Sequence, residues 1–279
     1  MADGKGLLRT ALFILTFLFA ASDAAAKTRE LTIDGARGKL AVILQTPDGA
    51  AKAPLVMILH GFGSHKEMPL LSKIADNLER AGVSSVRFDF NGHGESDGDF
   101  FDMTVENEIA DAEKVLAYVS ALPETASVAV AGHSQGGVVA SVLAGRAGAD
   151  KIKAEALMAP SSNLRDDIRN GRLFGVTFNT APLPEYINIG YYRIGRRYLE
   201  TMRDLPVYED AARFRGPALI VHGTADRIVP YACGERYRDI LQNGELVTLE
   251  GVDHLYSDHT DEAARIVADF FIKTLNETK

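Results

Sequence analysis

Three stretches of the chain, LVMILH (55–60), SVAVAG (127–132) and PALIVH (217–222), are apolar almost without interruption. Each is too short for a helix and lacks the alternation of a strand with one wet face. Strands of this kind are buried on both sides, which parallel sheets with helices on each face require. Other runs fit the same sheet: LTI (31–33), KLAVILQ (39–45), SSVRFDF (84–90), AEALMA (154–159) and ELVTLE (245–250). Between them lie helical patterns at 68–81, 104–122, 135–147, 231–242 and 261–275. In 104–122, Ile109, Ala112, Val115, Leu116 and Val119 recur at three- and four-residue steps and mark one buried face. Thr104 supplies an imperfect helix start. The alternation implies a doubly wound, mostly parallel sheet of about eight strands, with the first two strands an antiparallel hairpin at one edge. A chain of 279 residues accommodates one such domain and a modest insertion.

Two intervals break the pattern. Residues 1–26 carry Lys5 and Arg9, an apolar core ALFILTFLFAA (11–21) and small residues ending in an A-x-A pattern at Ala26. This reads as a signal peptide for export, periplasmic or secreted, with no stable membrane anchor after processing. The single cysteine, Cys233, cannot form an internal disulfide. Residues 161–209 separate two strands by a connection too long to be a simple loop, and their aromatic content argues against disorder. This interval reads as a lid or cap inserted into a catalytic domain spanning 27–279.

Ligands of such sheets bind beyond the carboxyl ends of the strands, and three of those ends carry reactive residues. Gly132-His133-Ser134-Gln135-Gly136 follows a buried strand and opens a helix. A G-x-S-x-G turn in that context lifts a serine hydroxyl above the sheet, and side-chain-free flanks let the turn close. Serine is a weak nucleophile unless a base, itself oriented by a carboxylate, removes its proton. Asp226, in HGTADRIVP, and His254, in EGVDHLYSD, follow in the order acid then base. Asp253 and Asp258 are rival acids, poorly placed to orient a neighbouring histidine. The backbone amides of Phe62, in HGFG, and Gln135 are expected to form the oxyanion hole. His60 and His93 fit loop-bracing roles, and His133 and His222 pack beside catalytic positions.

The net charge of −8 disfavours nucleic acid and anionic membrane partners. The short cluster Arg193, Arg196, Arg197 reads as solvated surface. No metal-ligand or nucleotide-binding motif occurs, so the chemistry calls for no cofactor and no metal. Nothing in the sequence sets the oligomeric state, and a homodimer is left open.

The motifs HGFG, FDFNGHGESDGDF, GHSQGGVVASVLAG, LMAPSSNL, GVTFN, HGTADRIVP and EGVDHLYSD, in this order, resemble the α/β-hydrolase superfamily and, within it, bacterial feruloyl (cinnamoyl) esterases. The resemblance implies a serine carboxylic-ester hydrolase that releases hydroxycinnamates from a small-molecule ester or a feruloylated oligosaccharide of plant cell walls. It also implies that lid groups hold the aromatic para-hydroxyl: Asp167 and Tyr198 match two of them, and Phe174 stands where the third, a glutamine, is expected. The bare residues equally fit simpler roles, Asp167 as a solvated helix charge and Tyr198 as packing in the insertion. A general short-acyl carboxylesterase uses the same machinery, as would a peptidase or thioesterase. A non-catalytic binding module of this fold would be expected to lack part of it.

Overall fold

A computed structural model describes residues 27–47, 49 and 52–276; the expected signal peptide lies outside them. Strands β1 (Lys27–Asp34) and β2 (Lys39–Thr46) form the expected antiparallel hairpin. They are followed by β3 (Ala53–Leu59), β4 (Ser84–Phe88), β5 (Thr125–His133) and β6 (Ile152–Met158). Two small hairpins, β7 (Arg172–Leu173) with β8 (Val176–Thr177) and β9 (Tyr186–Ile189) with β10 (Tyr192–Gly195), stand apart from the main sheet. Strands β11 (Ala218–Gly223) and β12 (Gly244–Leu249) complete it, in the order β1-β2-β4-β3-β5-β6-β11-β12. From β4 onward every neighbouring pair in that order is parallel. All seven residues of β3 are buried, which accounts for its unbroken apolar run.

The helices are α1 (Pro69–Arg80), α2 (Val105–Ser120), α3 (Gln135–Ala147), α4 (Asn163–Arg169), α5 (Arg196–Asp204), α6 (Val207–Ala211), α7 (Ala232–Ile240) and α8 (Thr260–Asn276). Helices α1 and α8 cover one face of the sheet, through residues such as Ile74, Leu78, Val267 and Phe271. The other core is built by α2, α3 and the helices of the insertion. Thr104 Oγ1 accepts from Asn107 N at 3.1 Å and so starts α2 as its sequence suggests. The same buried face of α2 also carries Glu108 and Asp111. Asp111 accepts from the Ala36 and Asn91 amides at 2.7 and 2.9 Å, tying the edge hairpin to the loop after β4. Strand β4 stops two residues before its apolar run ends. There the Asp89 carboxylate turns in to accept from the Lys66 and Glu95 amides and the Lys66 ammonium, and the chain leaves the ladder.

The long interval between β6 and β11 holds α4, both small hairpins, α5 and α6. Each hairpin closes with a two-residue turn at Phe174-Gly175 or Gly190-Tyr191. Phe174 has φ +46° and Gly175 φ +82°, the paired positive values of a tight hairpin turn. Phenylalanine is an unfavourable residue there, so its ring is held by something beyond local preference.

Helix α3 runs so close to α6 that a Cβ on Gly145 would stand 1.9 Å from the Asp210 carbonyl oxygen. Gly145→Ala is therefore expected to destabilise the protein by ~2–3 kcal/mol, seen as a lower denaturant midpoint; an unchanged midpoint would show that the two helices can part freely.

Candidate active site

Ser134 joins β5 to α3 with φ +57° and ψ −120°, a backbone state that side chains resist. Tertiary contacts hold it there: its N–H donates to the Met158 carbonyl at 2.9 Å, and its own carbonyl accepts from Ser161 N at 3.1 Å. The turn closes only because its flanks are bare. A Cβ at Gly132 would stand 2.0 Å from the Gly136 carbonyl oxygen, and one at Gly136 would stand 2.3 Å from that of His60.

Asp226 lies in the loop after β11 and His254 in the loop after β12, so parallel neighbouring strands deliver both to the same end of the sheet. His254 Nε2 is 2.9 Å from Ser134 Oγ, and His254 Nδ1 is 2.7 Å from Asp226 Oδ2. A carboxylate facing Nδ1 assigns the proton to that nitrogen, leaving Nε2 free to accept from the serine hydroxyl. Burial opposes charge on Asp226, but hydrogen bonds from His222 and His254, the charge interaction with His254 and the Val229 amide outweigh it and hold the carboxyl well below its ordinary range. Asp226 Oδ1 accepts from the Ile228 and Val229 amides at 2.8 Å each. The rival Asp253 is exposed and engaged by the amide and hydroxyl of Ser257. His133 Nε2 donates to the His254 carbonyl at 2.9 Å, and burial, reinforced by His254, pulls its pKa down to about 3. It therefore braces the base as a neutral ring.

The other strand end supplies Phe62. Gly61 to Ser64 form a turn closed by Ser64 N donating to Gly61 O at 3.2 Å, with Gly63 at φ +62°. His60 clamps this turn: Nδ1 donates to Gly61 O at 2.9 Å, while Nε2 accepts from Phe90 N at 3.1 Å. A Cβ on Gly61 would stand 2.9 Å from Ser134 Cβ, which is how near the loop comes to the serine. Gln135 is the first residue of α3, so its amide has no acceptor within the helix. The loop that carries Phe62 and the first turn of α3 thus meet beside Ser134.

A cavity of about 400 Å³ opens on Ser134 and His254, with Phe62, Phe174, Ile189 and Tyr192 among its walls. Phe174 packs its ring 4.9 Å from that of Phe62, and this contact places it in the cavity despite its unfavourable φ. The other two residues matched to the ring-hydroxyl site are not in the lining. Tyr198 is fully buried and its hydroxyl donates to Gln135 Oε1 at 2.7 Å. Asp167, on α4, accepts from Asn163 Nδ2 at 2.9 Å and from Arg172 at 3.3 Å. Neither therefore stands where a para-hydroxyl in this cavity would meet it: the Tyr198 hydroxyl is given to Gln135, and Asp167 is paired with Arg172. Sequence reasoning missed the rim of exposed Tyr191, Ile228 and Leu255. Ile228 and Leu255 sit one or two residues from Asp226 and His254, a proximity that was legible.

The serine aminopeptidase S33 family model matches residues 50–185, and the TAP-like protein model matches 198–278. Est1E from Butyrivibrio proteoclasticus, in its structure with ferulic acid bound, is similar over 88% of this chain and 99% of that one, with TM-score 0.85 and 29% identity. The chain has the α/β-hydrolase fold. A putative hydrolase from Agrobacterium vitis shares the fold at TM-score 0.71 and 23% identity, over 88% of this chain and 98% of that one. The human protein ABHD12B is 27% identical over 197 residues, 68% of this chain and half the length of that curated relative.

Under the Ser134 turn lies a buried polar cluster. Gln135 Nε2 donates to both oxygens of Glu108 at 2.8 Å. Burial pushes the Glu108 carboxyl up to about 8, with the Gln135 bond opposing and Asp111 reinforcing the shift. His93, 3.9 Å from Glu108, is drawn down by burial to about 4, so both are uncharged at neutral pH. An unfolded glutamate titrates at about 4.3. Between that value and 8 the folded protein holds a proton that the unfolded chain has lost, so this group's stabilisation declines as pH rises through the window. Glu108→Gln removes the titration, and the melting temperature of the variant relative to wild type should rise from pH 5 to pH 8 and then level. A difference independent of pH would place the Glu108 titration elsewhere.

Proposed function

We propose that this α/β-hydrolase is a serine carboxylic-ester hydrolase working through an acyl-enzyme, and that its acyl groups are hydroxycinnamates such as ferulate, esterified to plant cell-wall material. The observation that carries this reading is the apolar, aromatic-walled cavity opening directly on a serine hydrogen-bonded to a histidine that a carboxylate holds from its other side. The likeness to Est1E, whose structure holds ferulic acid, supports the choice of acyl group.

In this mechanism Ser134 Oγ bonds to the ester carbonyl carbon as its proton passes to His254 Nε2. The carbonyl π electrons move to the oxygen, where the Phe62 and Gln135 amides stabilise the charge. Collapse of the tetrahedral intermediate expels the alcohol, which takes the proton from His254. Water, deprotonated by the same nitrogen, then releases the acid and restores Ser134. Asp226 stays ionised throughout and holds the imidazole in its working tautomer.

The cavity wall favours a broad acyl choice. Phe174 offers a ring face to an aromatic acyl group and no hydrogen bond to its para-hydroxyl, and neither Asp167 nor Tyr198 lines the cavity. Stacking then selects the ring, and the hydroxyl contributes little. Methyl ferulate and methyl cinnamate should be hydrolysed with kcat/KM values within about threefold of each other, because a single neutral hydrogen bond outside the site has no purchase on the transition state. Both should be preferred to p-nitrophenyl acetate after correction for its better leaving group. Ser134→Ala should lower kcat by on the order of 10⁴-fold or more on all three. Activity surviving that substitution would reject the mechanism, and an acetate preference would support the short-acyl carboxylesterase reading instead.

A further inference from the structure

The 161–209 insertion contributes two tyrosine hydroxyls that never reach the open cavity as free groups. Tyr192, on β10, donates to the Gly63 carbonyl at 3.0 Å. Its ring lies 4.5 Å from that of Phe100 and 5.7 Å from that of Phe62. The contact is built into the loop, because a Cβ at Gly63 would stand 2.9 Å from the tyrosine Cζ. Tyr198, on α5, donates to Gln135 Oε1 at 2.7 Å, while Gln135 Nε2 is held by Glu108. The Gln135 side chain is thereby anchored at both ends in a fully buried site.

Each hydroxyl thus acts next to one amide of the oxyanion hole. Gly63 follows Phe62 within the same four-residue turn, and Gln135 bears the second amide itself. The geometry points to a second role for the insertion: Tyr192 and Tyr198 are positioning residues that set the Phe62 and Gln135 amides, so the insertion builds the oxyanion hole as well as the acyl wall. The inference rests on Ser134 as the nucleophile and on these two amides as the donors. Its physical basis is preorganisation, since a donor aimed before the reaction stabilises developing charge without reorganising during it. Without the Tyr198 hydroxyl, Gln135 Oε1 becomes a buried acceptor lacking its donor, and the first turn of α3 is free to shift. Without the Tyr192 hydroxyl, the Gly61–Ser64 turn keeps its His60 clamp but loses its tether to the insertion.

Tyr192→Phe and Tyr198→Phe each delete one oxygen. The proposal expects kcat to fall about tenfold in each, less than the 10²–10³-fold typical of losing a donor outright, with KM little changed. The factor should be the same for p-nitrophenyl acetate and methyl ferulate, because the oxyanion is common to both. Inhibition by a trifluoromethyl ketone, whose carbonyl carbon bonds Ser134 Oγ and whose oxygen becomes an alkoxide in the oxyanion hole, should weaken by the same factor. Inhibition by ferulate, a ground-state product, should not change. A loss confined to methyl ferulate, or ketone affinity equal to wild type, would overturn the proposal and leave the tyrosines as wall or packing. If Tyr198→Phe does not fold, Tyr192→Phe at its half-exposed hairpin decides the matter alone. Failure of the underlying serine mechanism looks different: the wild-type enzyme would then not be inhibited by the ketone at all, which rejects both readings.

Discussion

The backbone of one residue governs the site. Ser134 is held at φ +57° by a bond from its amide to Met158 and by the acceptance of the Ser161 amide at its carbonyl. That conformation demands space that side chains would occupy, and it forces glycine at 132 and 136, where any Cβ would meet backbone within 2.3 Å. In return the hydroxyl stands at the carboxyl end of the central strands, beside the start of α3. The neighbouring parallel strands then bring the acid and base loops to the same edge. The chemistry follows from that register, since a shift of one residue in β11 or β12 would turn the loop origins away.

The second constraint is the closeness of buried polar groups that the turn rests upon. Glu108, Gln135 and Tyr198 form one hydrogen-bonded chain from α2 through α3 to α5. Such a chain is stable when every member is satisfied and costly when one is removed. It links the sheet's own helix layer to the insertion, so the insertion and the nucleophile turn are parts of one packed unit. The aromatic cluster of Phe62, Phe100, Phe174 and Tyr192 provides a similar link on the side of the oxyanion loop.

Much of this was legible in the chain. The central strands stood out because parallel strands buried on both faces must be apolar throughout, and the Ser134 turn because its geometry leaves only glycine as a neighbour. Asp226 was separable from Asp253 because a carboxylate adjacent in sequence to the histidine is poorly placed to orient it, and the structure adds that Asp253 is engaged by Ser257. The small strands of the insertion were not legible, since two to four residues are too few to display a period. Glu108 and Asp111 were equally hidden: helical periodicity marks the apolar members of a buried face, and a buried acid is recognised only through its partners. Tyr198 illustrates the same limit. Motif position suggested a cavity residue, whereas its direction into Gln135 depends on where α5 settles against α2 and α4.

The central claim is that Ser134 is a nucleophile activated by His254, and a fluorophosphonate tests it most directly. Ser134 Oγ should displace fluoride and form a phosphonyl ester, adding one adduct to the intact mass that peptide mapping places on Ser134. The adduct should form far more slowly in His254→Ala, where no base removes the proton. An active enzyme that stays unlabelled, or that carries the adduct on another residue, would contradict the account.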